Sequence, residues 1–271
     1  MSKILIVTPT LGTRKTLIET CGSVQDFGGE AVDHVITCPA KAITTVSQMV
    51  GDLEVVEEKG KGVYGAVNHI LKERAAKYEW VGYVNDDDYW LPSMSKLIQL
   101  SQEAKLADIV YGRVQFVDAN GRPIMVSSSS AHFKLFPILA ARGIIMFTQQ
   151  AALIRSNLFL RLDGFDERYK LVADNDFWIR AITQGAQCEY VDAVCAGYRF
   201  QAGQLSSDKE RIKVEEAQIL SKYKLNRNSL YARLAAAYYY LENSKLYLER
   251  IFKKTNRNYT TQGTMRDIHR L

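Results

Sequence analysis

The sequence predicts an α/β protein: a mostly parallel sheet with flanking helices, followed by a helical C-terminal appendage. Three observations predict it. Short apolar runs alternate with segments of helical spacing through the first half of the chain. The run Trp80-Val81-Gly82-Tyr83-Val84 leads into three adjacent aspartates, Asp86, Asp87 and Asp88, placed where a strand of such a sheet ends and ligands bind. Beyond Ser207 the spacing is helical only, with Leu230, Leu234, Ala237, Leu241, Leu248 and Phe252 forming one apolar stripe.

The elements follow in order. Lys3 to Thr10 reads as a strand, and Thr13 to Val24 as a helix with Leu17, Ile18, Cys21 and Val24 on one face. Ala31 to Cys38 and Leu53 to Glu57 are the next strands. Val63, Val67, Ile70, Leu71 and Ala75 mark a helix. Glu79 to Asn85 is the strand that delivers the aspartates, and Ser93 to Lys105 the helix after it. Asp108 to Val114 is a strand, with a hairpin turn at Asp118-Ala119-Asn120-Gly121. Ser127 to Met146 is irregular and serine-rich, the profile of a loop near a site. Ala151 to Arg155 is a short strand, and Ser156 is placed to cap the helix carrying Leu158, Phe159 and Leu162. A helix from about Asn175 to Gln184 and a strand from Gln187 to Val191 close the α/β region. The pattern divides at Ser206-Ser207-Asp208, giving domains 1–207 and 208–271.

The chain has 271 residues, 47% of them hydrophobic and 24% charged, enough for one large α/β core with a small appendage. The start lacks the pattern of a signal peptide, and no apolar stretch is long enough to span a bilayer, so a cytoplasmic protein is expected. Cys21, Cys38, Cys188 and Cys195 form no C-x-x-C pair and read as free thiols. From Asp208 onward there are 14 Lys and Arg against 7 Asp and Glu, so the whole positive excess lies in the appendage. With Tyr231, Tyr238, Tyr239, Tyr240 and Tyr247 interleaved, that region suits peripheral contact with the inner membrane face, a homodimer contact, or packing on the core. No nucleic-acid motif accompanies it.

Three adjacent carboxylates repel one another and call for a positive partner. A divalent metal carrying substrate phosphates is one solution, and an acidic helix-capping loop is the other reading. Gly60-Lys61-Gly62-Val63-Tyr64-Gly65 is a literal G-x-G-x-x-G. It follows the third strand rather than the first, and Glu57 and Glu58 would face any pyrophosphate. Glycines serving a tight turn explain it better than a dinucleotide site.

Several segments, in order, resemble family 2 glycosyltransferases. Val7-Thr8-Pro9-Thr10 is similar to their first strand, and Lys61 to Asn68 to their K-G-I/V-Y-D-A-x-N segment. Tyr83 to Pro92 resembles their metal motif, and Gln150 to Arg155 with Gly164 to Glu167 their acceptor-side segment. Asp174-Asn175-Asp176-Phe177-Trp178-Ile179-Arg180 resembles D-x-D-L/F-W-L/I-R, and Tyr198 to Ser206 loosely matches the end of their catalytic domain.

The resemblance spans residues 3 to about 207. It implies a glycosyltransferase A-type, Rossmann-like fold and metal-dependent transfer of a sugar, with inversion, from a UDP-, dTDP- or GDP-linked donor. The acceptor hydroxyl would belong to a glycan or a lipid-linked molecule, in bacterial surface-glycan synthesis. It implies Asp87, then Asp88, as ligands of Mn²⁺ or Mg²⁺, and Asp174 as general base. Thr8, Pro9, Thr10, Arg14, Tyr64, Asn68, Asn85 and Asp86 would bind the nucleotide-sugar, with Asp176 and Trp178 on the acceptor side. Asp174 could equally cap its own helix, and Trp178 could be core. The sequence departs from the family at Cys38-Pro39, where an acidic residue usually reads the nucleobase, and at Gly60 and Gly65. A nucleotidyltransferase and a catalytically degenerate nucleotide-sugar-binding subunit are the alternative functions.

Overall fold

The computed structural model describes residues 3–201, 204 and 207–254. Its strands are β1 (Ile4–Pro9), β2 (Val32–Cys38), β3 (Glu54–Glu57), β4 (Trp80–Tyr83), β5 (Tyr89–Trp90), β6 (Ile109–Val117), β7 (Pro123–Val126), β8 (Ala152–Arg155) and β9 (Cys188–Arg199). They form one sheet in the order β3-β2-β1-β4-β8-β6-β9-β5, with β7 paired to β6. The pairs β1/β2, β1/β4, β2/β3 and β6/β9 are parallel, and β8, β5 and β7 run antiparallel to their neighbours. β1 is buried along its whole length, as a central parallel strand covered on both faces must be.

This topology makes the site. From β1 the order runs to β2 on one side and to β4 on the other. The crevice beyond the carboxyl ends of β1 and β4 is therefore a switch point, where α/β sheets bind ligands. Val7 lies opposite Tyr83, so the residues after each strand, Thr10 and Asp86, emerge side by side.

The helices are α1 (Thr16–Gly28), α2 (Ile43–Val50), α3 (Gly62–Arg74), α4 (Met94–Glu103), α5 (Phe136–Ala140), α6 (Ser156–Arg161), α7 (Ala173–Thr183), α8 (Lys209–Lys222), α9 (Leu230–Glu242) and α10 (Ser244–Lys254). α2 has no counterpart in the sequence reading. Ile43, Thr44, Thr45, Val46 and Val50 are β-branched and disfavour a helix intrinsically. Packing decides, with Val46 buried beside Leu17 and Ile36. The glycine-rich motif is the turn into α3. Gly60 has φ +119°, and a Cβ there would lie 2.8 Å from the backbone of Gly65.

Three expectations fail on geometry. Arg155 precedes α6 at the N-cap with no side-chain cap, and the buried Ser156 hydroxyl has no hydrogen-bond partner. β9 runs eight residues past Val191, through register shifts that the broken apolar pattern conceals. The leucine stripe faces solvent, with Leu230, Leu234, Leu241 and Leu248 all more than half exposed. α9 instead buries Ala232, Ala235, Ala236 and Tyr239, small residues that allow close approach to the core. Phe252, the last of that stripe, and Ser206 of the domain boundary lie outside the described side chains.

The helical region is welded to the α/β body. Ile219, Ala232, Ala235, Ala236 and Tyr239 belong to the same hydrophobic cluster as Val81, Phe147 and Trp178. Buried Glu215 of α8 accepts hydrogen bonds from the backbone N–H groups of Lys170 (2.9 Å), Leu171 (2.8 Å) and Val172 (3.3 Å), the loop leading into α7. Glu215→Ala orphans these donors and is expected to cost about 3 kcal/mol in urea unfolding. Glu215→Gln, which keeps an acceptor oxygen, is expected to recover most of that. No helix among the described residues is long and apolar enough to cross a membrane.

Candidate active site

A cavity of about 780 Å³ opens at the β1/β4 switch point and extends to α8, α9 and α10. Pro9, Thr10, Arg14, Tyr64 and Asn85 to Asp88 border its inner end, and Asp174 borders it further along.

The aspartates stand on the turn after β4, where the Asp88 N–H bonds the Asn85 carbonyl at 3.1 Å. Their positive partner is an arginine. Arg14 Nη1 lies 2.9 Å from Asp86 Oδ1 and 2.7 Å from Asp87 Oδ2. Thr10 Oγ1 donates to Asp86 Oδ2 at 2.6 Å. Burial raises the Asp86 pKa, and Thr10 and Arg14 pull the other way. Asp87 Oδ2 also accepts from Gln201 Nε2 (3.1 Å) and Gln204 Nε2 (2.9 Å). Asp88 points inward. Its Oδ2 accepts from Gln150 Nε2 at 2.6 Å and its Oδ1 from the Arg199 N–H at 3.0 Å. Desolvation, then the charge of Asp87, pushes its pKa up.

Among the described residues no cluster of three or more His, Cys, Asp or Glu side chains is arranged to enclose a metal ion. Mg²⁺ and Mn²⁺ do not require one, since one or two carboxylate oxygens with substrate phosphates and water suffice. Asp87 fits that demand: its carboxylate stands on the cavity wall among side chains, Arg14 and Gln204, that border the cavity themselves. Asp88 does not fit it, because both of its oxygens are committed to the protein.

Asp174 is the isolated carboxylate. It stands in the first turn of α7, and its Oδ1 accepts from the Tyr64 hydroxyl at 3.0 Å and from the Asn175 N–H at 2.9 Å. Burial raises its pKa to about 6, against the lowering effect of these two bonds. A carboxylate poised there is ionised at neutral pH and still basic enough to take a proton. The Tyr64 bond ties α3 to α7. Tyr64→Phe removes a hydrogen bond to the charged form, an interaction of about 1.5 kcal/mol, so the acid limb of a pH–activity profile is expected to rise by about one pH unit.

The remaining predicted residues divide. Pro9, Thr10, Arg14, Tyr64, Asn85 and Asp86 border the cavity, Arg14 as an ion-pair partner and Tyr64 as a partner of Asp174. Thr8 is buried in the sheet against His34 Nε2 at 2.9 Å, outside the cavity. Asn68 is a buried brace, donating to the Phe165 carbonyl at 2.8 Å and accepting the Phe165 N–H at 2.9 Å. Asp176 is fully buried, 2.7 Å from Lys222 Nζ and 2.9 Å from the Tyr223 hydroxyl, and so joins α7 to the segment ending α8. Trp178 packs in the core against Phe147 and Phe177. Neither borders the cavity, although Trp178 lies one helical turn after Asp174 on the same face of α7.

Sequence reading missed Glu58, Gln149, Gln204 and Glu216, which also border the cavity. The Glu58 N–H bonds the Cys38 carbonyl at 2.8 Å, so a carboxylate stands beside the place where the family's acidic residue is absent. Its position after an edge strand carried that signal; its reading as a mere obstacle to pyrophosphate hid it.

The sheet order and the similarities to solved structures are those of a glycosyltransferase A-type fold. No family model matches the chain. It is similar to PGL/p-HBAD biosynthesis glycosyltransferases of Mycobacterium bovis and Mycobacterium tuberculosis, 28% identical over 224 residues that cover 77% of this chain and 82% of theirs. Among solved structures it resembles residues 1–349 of S. aureus TarS in complex with UDP-GlcNAc, with TM-score 0.59, 18% identity, and coverage of 83% of this chain and 68% of that one. TarS 1–349 alone gives TM-score 0.56 at 17% identity over 99% of this chain and 77% of that one.

Proposed function

We propose that the chain is a metal-dependent inverting glycosyltransferase that moves a sugar from a nucleotide-sugar to an acceptor hydroxyl. One observation carries this reading. A single cavity joins the carboxylate–arginine cluster at the β1/β4 crevice to a separate, basic carboxylate, Asp174. A diphosphate and a nucleophile need those two chemistries at the two ends of one sugar.

Thr10, Arg14, Asn85 and Asp86 border the place for the nucleotide diphosphate, and Glu58 stands where a base can be read. The acceptor oxygen attacks the anomeric carbon as its proton passes to Asp174. The bond from that carbon to the diphosphate oxygen breaks, and its electron pair leaves on the diphosphate. Attack opposite the leaving group inverts the centre. A Mg²⁺ or Mn²⁺ ion on Asp87 would supply charge compensation for the departing diphosphate. Arg14, already within hydrogen-bond reach of Asp86 and Asp87, adds a fixed positive charge at the same end. Holding both substrates in one cavity supplies the proximity term.

The nucleotidyltransferase alternative wants free basic residues near the first strand, and Arg14 is held by two aspartates. The test is release of nucleotide diphosphate with Mn²⁺ across UDP-, dTDP- and GDP-sugars. UDP-sugars come first because TarS was solved with UDP-GlcNAc. Turnover of one donor is expected. Donor binding without release leaves the degenerate binding subunit, and neither binding nor release removes both readings.

A further inference from the structure

The outer half of the cavity differs in chemistry from the inner half. Its wall is built by Phe116 and Met125 of the β6–β7 hairpin, Ile145 of the segment before β8, Ile212 of α8, Tyr240 of α9 and Tyr247 of α10. Several of its polar side chains are already engaged. Ser127 Oγ accepts the Val114 N–H at 2.9 Å, and Ser128 Oγ lies 3.1 Å from the Tyr247 hydroxyl. Arg142 Nη1 donates to the Arg227 carbonyl at 2.9 Å, and Arg250 donates to the Val126 carbonyl while lying over the Tyr247 ring. Glu216 adds one half-buried carboxylate. A run of sugar rings entering here would give up its water for few partners. An apolar group would gain by the same burial.

We propose that this half of the cavity binds the acceptor through an apolar group, aryl or alkyl, attached close to the hydroxyl-bearing part. The assignment rests on the transferase reading for the word acceptor, and on the wall itself for the chemistry. Asp174 borders the same cavity, bonded to Tyr64 of its inner end, so a molecule seated on this wall can present its polar end to the base.

The test uses methyl, hexyl and phenyl β-glucosides, which share one set of sugar hydroxyls and differ only in the apolar group. Binding is measured by calorimetry on the full chain without donor, and transfer separately with whichever nucleotide-sugar is turned over. Hexyl or phenyl glucoside is expected to bind about tenfold or more tighter than methyl glucoside. The better of the two identifies an alkyl or an aryl group. Replacing the rim residues with serine, Ile145→Ser with Tyr240→Ser, is expected to cut that ratio by about fivefold. Both positions keep solvent contact, Tyr240 exposed and Ile145 half-buried at the edge of the core, and a melting curve of the variant checks that it folds. Equal binding of all three glucosides, no binding of any, or a ratio untouched by the substitutions overturns the assignment. Selective binding with no transfer from any donor would uphold the wall's preference and sink the transferase reading, so the two failures are separable.

Discussion

Asp174→Asn is expected to lower transfer by about 10³-fold while nucleotide-sugar binding stays within about twofold. The amide keeps an oxygen for the Tyr64 hydroxyl and the Asn175 N–H, so the geometry at the start of α7 survives and only basicity is lost. In the wild type, transfer is expected to fall about tenfold per pH unit below about 6, where Asp174 protonates. The same substitution has a stability signature of opposite sign. The folded-state pKa is raised above its ordinary value, so the fold prefers the protonated form. That preference is fully satisfied below about pH 4 and lost as pH rises through about 6. Asp174→Asn should therefore be more stable than wild type by up to about 3 kcal/mol at pH 8, and the gain should vanish near pH 4. Thermal melts at the two pH values check it. Transfer by the variant at wild-type rate would remove Asp174 as the base. A pH-independent stability difference would mean that its carboxylate is not strained by burial.

The centre of the parallel half of the sheet was legible because β1 and β4 are buried along their whole length and read as short apolar runs. The same logic drew attention to Asp86 to Asp88 at the end of β4, whereas Asp174 was picked out only by the resemblance of its segment. What stayed hidden depends on distant partners. Arg14 spans 72 positions to reach Asp86, and no local pattern announces that pairing. Asn68 and Asp176 are polar residues in motif-like segments, and their burial among backbone and lysine partners is settled only by tertiary packing. α9 inverts the usual rule, burying alanines and one tyrosine while leaving leucines outside, so a periodic apolar stripe pointed to the wrong face.

Asp87→Ala is expected to abolish the part of donor binding that depends on Mn²⁺ or Mg²⁺, raising the donor Kd about tenfold or more in their presence and leaving it little changed in their absence. The neighbouring aspartate provides the contrast. Asp88→Ala strips acceptors from Gln150 Nε2 and from the Arg199 N–H, both buried, and should appear first as a loss of about 2–3 kcal/mol in stability. Asp87→Ala removes a charge adjacent to Asp88 and frees Arg14, Gln201 and Gln204, whose side chains lie near or on the cavity wall and can find water or Asp86 instead. Its stability should change by less than about 1 kcal/mol. Nucleotide titrations of both variants with and without Mn²⁺, beside their melting curves, separate ligand from brace. If Asp87→Ala retains the full metal-dependent gain in donor affinity, the cation is held elsewhere. Arg14, which ties Asp86 to Asp87, would then be the principal positive charge the donor diphosphate meets at this end of the cavity.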